Sequence, residues 1–462
     1  MNFLLKNSSI VVQYLLVSLV FGYIIIRANS LSFTHDEAFS YKFLIGADNP
    51  QVTANHHILN TNLMGVSKSL FGIDEFSLRF PNVLAFLFYA LGYFLITSKT
   101  SIKHSWLLFT LYFLNPFVLD FFSLARGYGL SMGFISMSVY GLIRFTHAID
   151  IKEYRNHLII AFVFGSLALF ANLSTINYCI AIWFYAVIIG KQYLDKNNKK
   201  ELIQLSLIFI LMLAVMGISI SRLLYLKELN ELYFGADSFF HTVNSLAADS
   251  LYGYKYPEYI YNTLRIAVYV FLAGGLLLLL TKLKKILKQD ILLVFPIVLI
   301  GYLAENLLFK AQFPLGRTTL ILYVLLLIYS AKYLSLVNNK NLNKIKNVVG
   351  FLLSTLVLVH FSKVANNETT ANWKYDSKTS LVMQKIAEIN TTQKISFSAN
   401  WLFEPSVNYY IDLYKIDMKK IDRRGVNNES EYAYQFIKET DSTRFEILQE
   451  YPLPETNFLK KK

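Results

Sequence analysis

The apolar residues of this chain gather into runs of roughly 17 to 22, each long enough as a helix to cross a hydrocarbon core about 30 Å thick. About eleven runs predict spans near residues 10-26, 81-97, 105-122, 128-143, 158-174, 176-190, 202-220, 260-280, 290-308, 316-331 and 347-361. With the N-terminus on the cytoplasmic side, the inner connections contain Lys99 and Lys103; Arg144, Lys152 and Arg155; Lys191, Lys196, Lys199 and Lys200; Lys282, Lys284, Lys285 and Lys288; and Lys332, Lys340, Lys344 and Lys346. The outer connections are longer in total yet carry only Arg27, Lys42, Lys68 and Arg79, then Arg126, then Arg222, Lys227 and Lys255, then Lys310 and Arg317. Lys and Arg concentrate in cytoplasmic loops, so this asymmetry orients the chain, and an odd number of spans puts the C-terminus outside. Residues 1-26 also have the outline of a cleaved signal peptide, but the basic region would be a lone Lys6 and no small-residue cleavage site follows clearly.

Three stretches do not read as spans. The first outer loop, residues 27-80, is long for a connector, and long loops in compact proteins are usually functional. A second outer segment, 221-259, is rich in aromatics (Tyr233, Phe234, Phe239, Phe240, Tyr252, Tyr254, Tyr256) and predicts amphipathic helices at the interface. From residue 362 the chain turns polar, with helix-like stretches from Ser380 to Glu388 and Pro405 to Tyr414 and strand-like ones from Lys394 to Ser398 and Phe445 to Leu448. The expected architecture is therefore a mostly α, polytopic transmembrane bundle over 1-361 with a small extracytoplasmic α/β domain over 362-462. No internal repeat, low-complexity linker or glycine-rich phosphate loop interrupts it.

Composition agrees. At 54% hydrophobic and 16% charged, with mean hydropathy +0.40, 462 residues hold too few polar side chains to coat a soluble body of this size. The single cysteine, Cys179, lies inside an apolar run, which leaves neither a disulfide framework nor a cysteine-ligated zinc site. The net charge of +13 would raise the question of nucleic acid, but the Lys and Arg sit in short loops between spans, with no Arg-rich recognition helix. Topology accounts for the charge and nucleic acid is excluded as a partner.

Candidate chemistry concentrates in the first outer loop, which reads Ser32-Phe-Thr-His-Asp-Glu-Ala-Phe-Ser-Tyr41 and then Ala54-Asn-His-His-Ile-Leu-Asn-Thr61 and holds three of the eight histidines (His35, His56, His57). It also holds two acidic pairs. Asp74-Glu75 stands at the entrance of the second span, where acids favour the helix dipole and Arg79 offers a partner, so that pair reads as structural. Asp36-Glu37 follows the first membrane exit, close to where a lipid-linked substrate presents its head group; the plain alternative is a solvated helix start or cap. Transfer of a sugar from a polyprenyl-phosphate needs a base for the acceptor's proton, a task that suits a carboxylate. The leaving phosphate is a weak base and needs only positive charge. On a helix the side chains of 36 and 37 diverge by about 100°, so one would be base and the other a ligand or orienter. His56 and His57, with Asn55 and Glu37, could hold a divalent metal (Mg, Mn or Zn), although a hydrogen-bonded loop histidine is the commoner arrangement.

Positive partners must come from the outer ends of other spans. The third span ends in Leu114-Asn-Pro-Phe-Val-Leu-Asp120 and leads through Ser123-Leu-Ala-Arg-Gly-Tyr-Gly-Leu130 into the fourth. Asp120 is an acid in a span's last turn and so a site candidate; Arg126 either meets substrate, pairs with Asp120 or snorkels; Pro116 would kink the span. Glu305 closes the ninth span, and Lys310 and Arg317 introduce the tenth.

With the first-loop acids, the Ala125-Arg-Gly-Tyr128 turn and the polar tail, the chain resembles the GT-C superfamily of integral-membrane glycosyltransferases, most of all the bacterial branch of protein O-mannosyltransferase-like and aminoarabinose-transferase-like enzymes. The resemblance covers about residues 1-330 in layout. It implies that Asp36 is the catalytic base with Glu37 as companion, and that Arg126 with Tyr128, and Arg317, touch the lipid phosphate. Where many relatives have His-Pro-Pro this chain has His56-His57-Ile58. The resemblance further implies an undecaprenyl-phosphate or similar sugar donor, inversion at the anomeric carbon, and a lipid, glycan or protein acceptor. A lipid-linked oligosaccharide flippase would also be basic and polytopic, but transporters place polar groups near the bilayer midplane, often in inverted repeats, whereas here they gather at one face. An O-antigen polymerase or ligase would be expected to carry its major outer loop in the later half of the chain.

Overall fold

The computed structural model describes residues 2–49, 53–99, 105–191, 199–289, 291–336, 340–391 and 394–462; Lys103 and Lys196 lie outside the described residues. Among those described, eight helices are long and apolar enough to cross a bilayer: Ile10–Ser30, Glu75–Lys99, Ile151–Ala171, Leu173–Gly190, Lys199–Glu228, Ile291–Phe309, Gly316–Ser335 and Asn343–Val364. The chain is an integral membrane protein. Several of these helices turn large apolar side chains outward, among them Leu15 and Leu19, Leu207 and Ile210, and Leu352 and Leu356, a surface that suits lipid and not water.

The other three predicted spans take different forms. Residues 105-122 are two short helices broken at Asn115, whose side chain caps the second by accepting from Phe117 N–H at 3.0 Å, with Pro116 at the first position. Where a kink was expected, the chain is cut. Residues 128-143 lie in the helix Gly127–Thr146, nearly all of it buried. It is the core against which Glu75–Lys99 and Ile151–Ala171 pack, at close range: a methyl added at Gly92 would lie 2.6 Å from Ser136 Cβ. Residues 260-280 lie in the helix Glu258–Gln289.

We label the first eight α-helices in chain order: α1 (Asn2–Ser30), α2 (His35–Leu44), α3 (Ile58–Phe71), α4 (Glu75–Lys99), α5 (Trp106–Phe113), α6 (Pro116–Asp120), α7 (Gly127–Thr146) and α8 (Ile151–Ala171). The C-terminal segment carries a helix Thr379–Asn390, a helix Glu404–Tyr414 and strands β1 (Phe397–Ala399), β2 (Tyr432–Phe436), β3 (Phe445–Tyr451) and β4 (Thr456–Lys461). The four strands form one sheet of order β1-β2-β4-β3, with β1 parallel to β2 and the other pairs antiparallel. Its core is shared with the first outer loop: Phe33, Ala38, Tyr41 and Met64 pack with Val382, Phe403, Tyr409 and Tyr410. Phe33 stacks on Tyr409 with ring centres 4.0 Å apart, and its N–H donates to the Tyr410 hydroxyl at 2.7 Å.

A buried charge clasp ties the segment after the last long helix to the bundle. Arg27, in the last turn of α1 and 1% exposed, pairs with Asp120 and donates to the backbone carbonyls of Asn366 and of Thr369, the latter at 3.1 Å. Asp120 also accepts from the Tyr252 hydroxyl at 2.7 Å and from Ala371 N–H at 2.9 Å. Asp120 is thus engaged in holding four separate segments together, and the alternative in which Arg126 pairs with it is not the one formed. Removing one partner of such a pair strands the other charge in an apolar interior, at a cost of about 3–5 kcal/mol. Arg27→Ala should therefore lower thermal unfolding in detergent by that order; a variant as stable as the parent would show the clasp to be dispensable.

Candidate active site

The two carboxylates of Asp36-Glu37 have different fates because Thr34 caps the start of α2. Thr34 is in extended conformation, and its N–H and hydroxyl donate to Glu37 Oε2 at 2.9 and 3.0 Å, one half of a capping box. Glu37 then faces inward and receives a two-pronged contact from Arg79, Nε to Oε1 at 2.7 Å and Nη2 to Oε2 at 2.8 Å, with Ala125 N–H on Oε1 at 2.6 Å. The other guanidinium donors of Arg79 satisfy the carbonyls of Ala28, Leu31 and Ser32 at 2.8–3.0 Å, where α1 ends. Both side chains are completely buried. Arg79 therefore belongs to Glu37 and not, as expected, to Asp74-Glu75. Asp74 caps α4 through Ser77 N–H at 3.0 Å, and Glu75 accepts from the Tyr410 hydroxyl at 3.0 Å, a structural role for that pair. Both Glu37 oxygens are therefore engaged within the protein.

Asp36 points the other way. Its Oδ2 lies 3.2 Å from Arg317 Nη2 and 3.5 Å from Arg126 Nη2, and makes no hydrogen bond. Burial pushes its carboxyl up, but the guanidiniums of Arg317 and then Arg126 outweigh burial and hold it below the usual Asp range. The two arginines differ in access. Arg126, the residue capping α7, is fully buried: Nη1 donates to Asp36 O at 3.0 Å and Ser40 Oγ at 2.9 Å, and Nη2 to Asn55 O at 3.2 Å and to the Asn55 side chain. Its hydrogen bonds thus run to the Asp36 backbone, Ser40 and Asn55, all within the protein. Arg317, with 19% of its side chain exposed, is the cation a ligand can reach. Its Nε donates to the Tyr128 hydroxyl at 3.2 Å, and the rings of Phe234 and Trp373 lie 5.1 and 5.4 Å from its guanidinium carbon. Tyr375 stands by Asp36 and Arg317; burial and then the Asp376 and Asp36 carboxylates push its phenol up, so it is a neutral donor.

His57 packs edge-on against Tyr128 at 4.8 Å. Burial, then Arg126 and Arg317, push its imidazole far down, so the ring is neutral. The fit depends on Gly127, where a methyl would lie 1.9 Å from the Ala171 carbonyl and 2.8 Å from the His57 ring. These surroundings do not suit a metal. Two guanidiniums beside His57 repel a cation, His56 is turned against Phe43, and among the described residues no three His, Cys, Asp or Glu converge. Glu305 accepts instead from Asn177 at 2.8 Å, and Lys310 is an exposed helix cap in the left-handed region, φ 54°. Neither joins the Asp36 cluster.

The cluster thus unites Asp36, Arg126, Tyr128, Arg317, His57 and Asn55 of the expected residues. Ser40, Trp373 and Tyr375 were not foreseen, and Arg79 was foreseen only as a partner for Asp74-Glu75. Trp373 and Tyr375 had one visible signal, two large aromatics in the polar stretch Asn372-Trp-Lys-Tyr-Asp376.

The helical membrane bundle, with the connections and C-terminal α/β segment packed at the end that holds Asp36, has the fold of a membrane protein already solved by crystallography. The chain is similar over 98% of its length to crystal structures of ArnT from Cupriavidus metallidurans, 98% of whose chain is covered: the apo form at TM-score 0.56 and the form bound to undecaprenyl phosphate at 0.54, each with 10% identity. At that identity the likeness establishes the fold. No protein-family model and no curated protein matches the chain.

Because Glu37 and Arg79 satisfy one another, their removal should not be additive. Glu37→Ala and Arg79→Ala should each cost about 3–5 kcal/mol, and the double variant clearly less than their sum. Additive losses in thermal unfolding would mean the two act independently.

Proposed function

We propose that the chain is an inverting glycosyltransferase that moves a sugar from a polyprenyl-phosphate carrier to a lipid, glycan or protein acceptor at the extracytoplasmic face of the bacterial inner membrane. The observation that carries this reading is the Asp36 carboxylate set between Arg126 and Arg317 at one end of a GT-C bundle, in a fold whose neighbour ArnT has been crystallised with undecaprenyl phosphate. The basic residues of alternate connections support the orientation.

The residues divide the work. Asp36 takes the proton as the acceptor's oxygen or nitrogen attacks the anomeric carbon; the bond from that carbon to the phosphate oxygen breaks, and its electron pair stays on the phosphate. Arg317 faces the phosphate and stabilises the charge gained, with Tyr128 fixing its Nε edge. One carboxylate and two guanidiniums leave the cluster one positive charge in excess, which favours an anionic ligand. When a phosphate engages Arg317, Asp36 shares its strongest cation and becomes a better base, so the donor readies the carboxylate that the acceptor needs. Arg126 and Asn55 hold the carboxylate, and Glu37 with Arg79 hold the helix start that aims it. No step requires a metal among these residues.

Asp36→Asn should retain binding of a polyprenyl-phosphate sugar and lose turnover by at least about a hundredfold, the general-base scale; transfer measured in liposomes that survives the change would remove the assignment. The pH profile of kcat/KM gives a second test. Since the Asp36 carboxyl is held below its ordinary 3.8, it stays ionised as pH falls, so activity should persist down to about pH 4 and be lost only below the ordinary range. His57 is already neutral and should add no inflection near 6.5. Arg317→Ala removes the strongest lowering contact and should move the acid limb of the residual activity upward; a limb that stays in place would show another group is titrating.

A further inference from the structure

Arg317 lies in an aromatic holder built from two outer segments distant in sequence. Phe234 belongs to the segment before the helix Phe239–Ser250 and is half exposed; Trp373 belongs to the stretch after the last long helix and is buried. Each ring is fixed by its own contacts. The Phe234 segment is bridged to the loop leading to Arg317, Ala236 and Phe313 exchanging N–H to carbonyl bonds at 2.8 and 2.9 Å. The approach is so close that a methyl on Gly235 would lie 2.4 Å from Gln312 Cβ. Gly316, in the left-handed region at φ 59°, turns the chain into Arg317, its N–H donating to Ser245 Oγ at 2.7 Å. The Trp373 segment is anchored on one side by the Arg27–Asp120 clasp and on the other by Asp376, which accepts from His35 N–H at 2.7 Å and Ser406 at 3.0 Å. Trp373 leans edge-on against Phe121, 6.1 Å away, which in turn packs on Tyr128.

A guanidinium attracted to aromatic faces presents its edge, where its N–H groups point. Nε is taken by Tyr128 and Nη2 faces Asp36, while among the described residues Nη1 has no hydrogen bond. We infer that Phe234 and Trp373 are positioning residues: they clamp Arg317 so that its free edge is set for a phosphate before the donor arrives. A long, flexible side chain held in advance loses less freedom on binding. The C-terminal segment, through Trp373, is thereby a working part of the donor site.

This inference rests on the proposed role of Arg317, and a binding measurement separates the two. Undecaprenyl phosphate is titrated into detergent-solubilised full-length protein, with the donor KM and kcat measured alongside. Trp373→Ala should weaken binding about tenfold, the scale of a desolvated cation–π contact, and raise KM far more than it lowers kcat; Trp373→Phe should restore most of the loss. In an Arg317→Ala background, Trp373→Ala should add nothing. If Arg317→Ala alone leaves binding unchanged, the phosphate role of Arg317 falls and the clamp with it. If Arg317→Ala weakens binding but Trp373→Ala does not, or does so equally with and without Arg317, the clamp alone is overturned. Should Trp373→Ala fail to fold, Phe234→Ala on the half-exposed ring decides by the same criteria.

Discussion

A buried charge in a chain this apolar has to find its partner inside the protein, and the Glu37–Arg79 pair is where that demand shapes everything around it. Desolvating a carboxylate or a guanidinium costs several kcal/mol, which only close, multiply hydrogen-bonded geometry offsets. Here the two-pronged contact is supplemented by Thr34 and Ala125 on the acid and by three carbonyls on the arginine. Those added bonds do more than satisfy the charges. They fix the end of α1, the start of α2, the first turns of α4 and the approach to α7 relative to one another. Once Thr34 caps α2 with Glu37 turned to Arg79, the helical offset of about 100° turns Asp36 to a different face, toward Arg126 and Arg317. The neighbour of the catalytic candidate sets its direction.

The C-terminal segment is built into this arrangement. Its core continues through Phe33, Tyr41 and Met64 of the first outer loop, and Glu404 grips Lys42 at the far end of α2 with contacts of 2.7 and 3.0 Å. α2 is therefore gripped at both ends, by the bundle through Glu37 and by the C-terminal segment through Lys42 and the His35 backbone. A short helix of ten residues has little stability alone, and tertiary contacts are what keep it helical and in place.

What could be read from the sequence follows from which interactions are local. Apolar runs disclose helices that meet lipid, since lipid imposes the same requirement on each segment separately. The cut at Asn115 was less visible, because a Pro after a helix-capping Asn can begin a new helix as readily as bend an old one. Asp36, Arg126 and Arg317 were legible as charges at span ends on one face. Their partners were not: Asp120 has Arg126 six residues away yet pairs with Arg27, which is 93 residues distant. Arg79 has acids at 74 and 75 yet binds Glu37. Sequence proximity favours the near partner, but in each case the near acid is already turned to another task, capping α4 or meeting Tyr252 and Ala371. Trp373 shows its role only when two loops far apart close on one guanidinium.

A carboxylate with a lowered pKa sits awkwardly, at first sight, in the part of a general base. Magnitudes resolve the conflict. Two unit charges 3–4 Å apart interact by about 4 kcal/mol at an effective dielectric of 20, and a pKa unit is about 1.4 kcal/mol. An anion that draws on Arg317 therefore raises the Asp36 carboxyl, while Arg126, buried and bonded elsewhere, stays. The two arginines keep Asp36 ionised against its burial. In the reaction proposed here, a phosphate on Arg317 leaves only Arg126 wholly to Asp36, and the carboxylate regains basicity when the acceptor proton has to leave. That timing requires two cations of unequal access, one locked and one reachable, and this is the difference between Arg126 and Arg317.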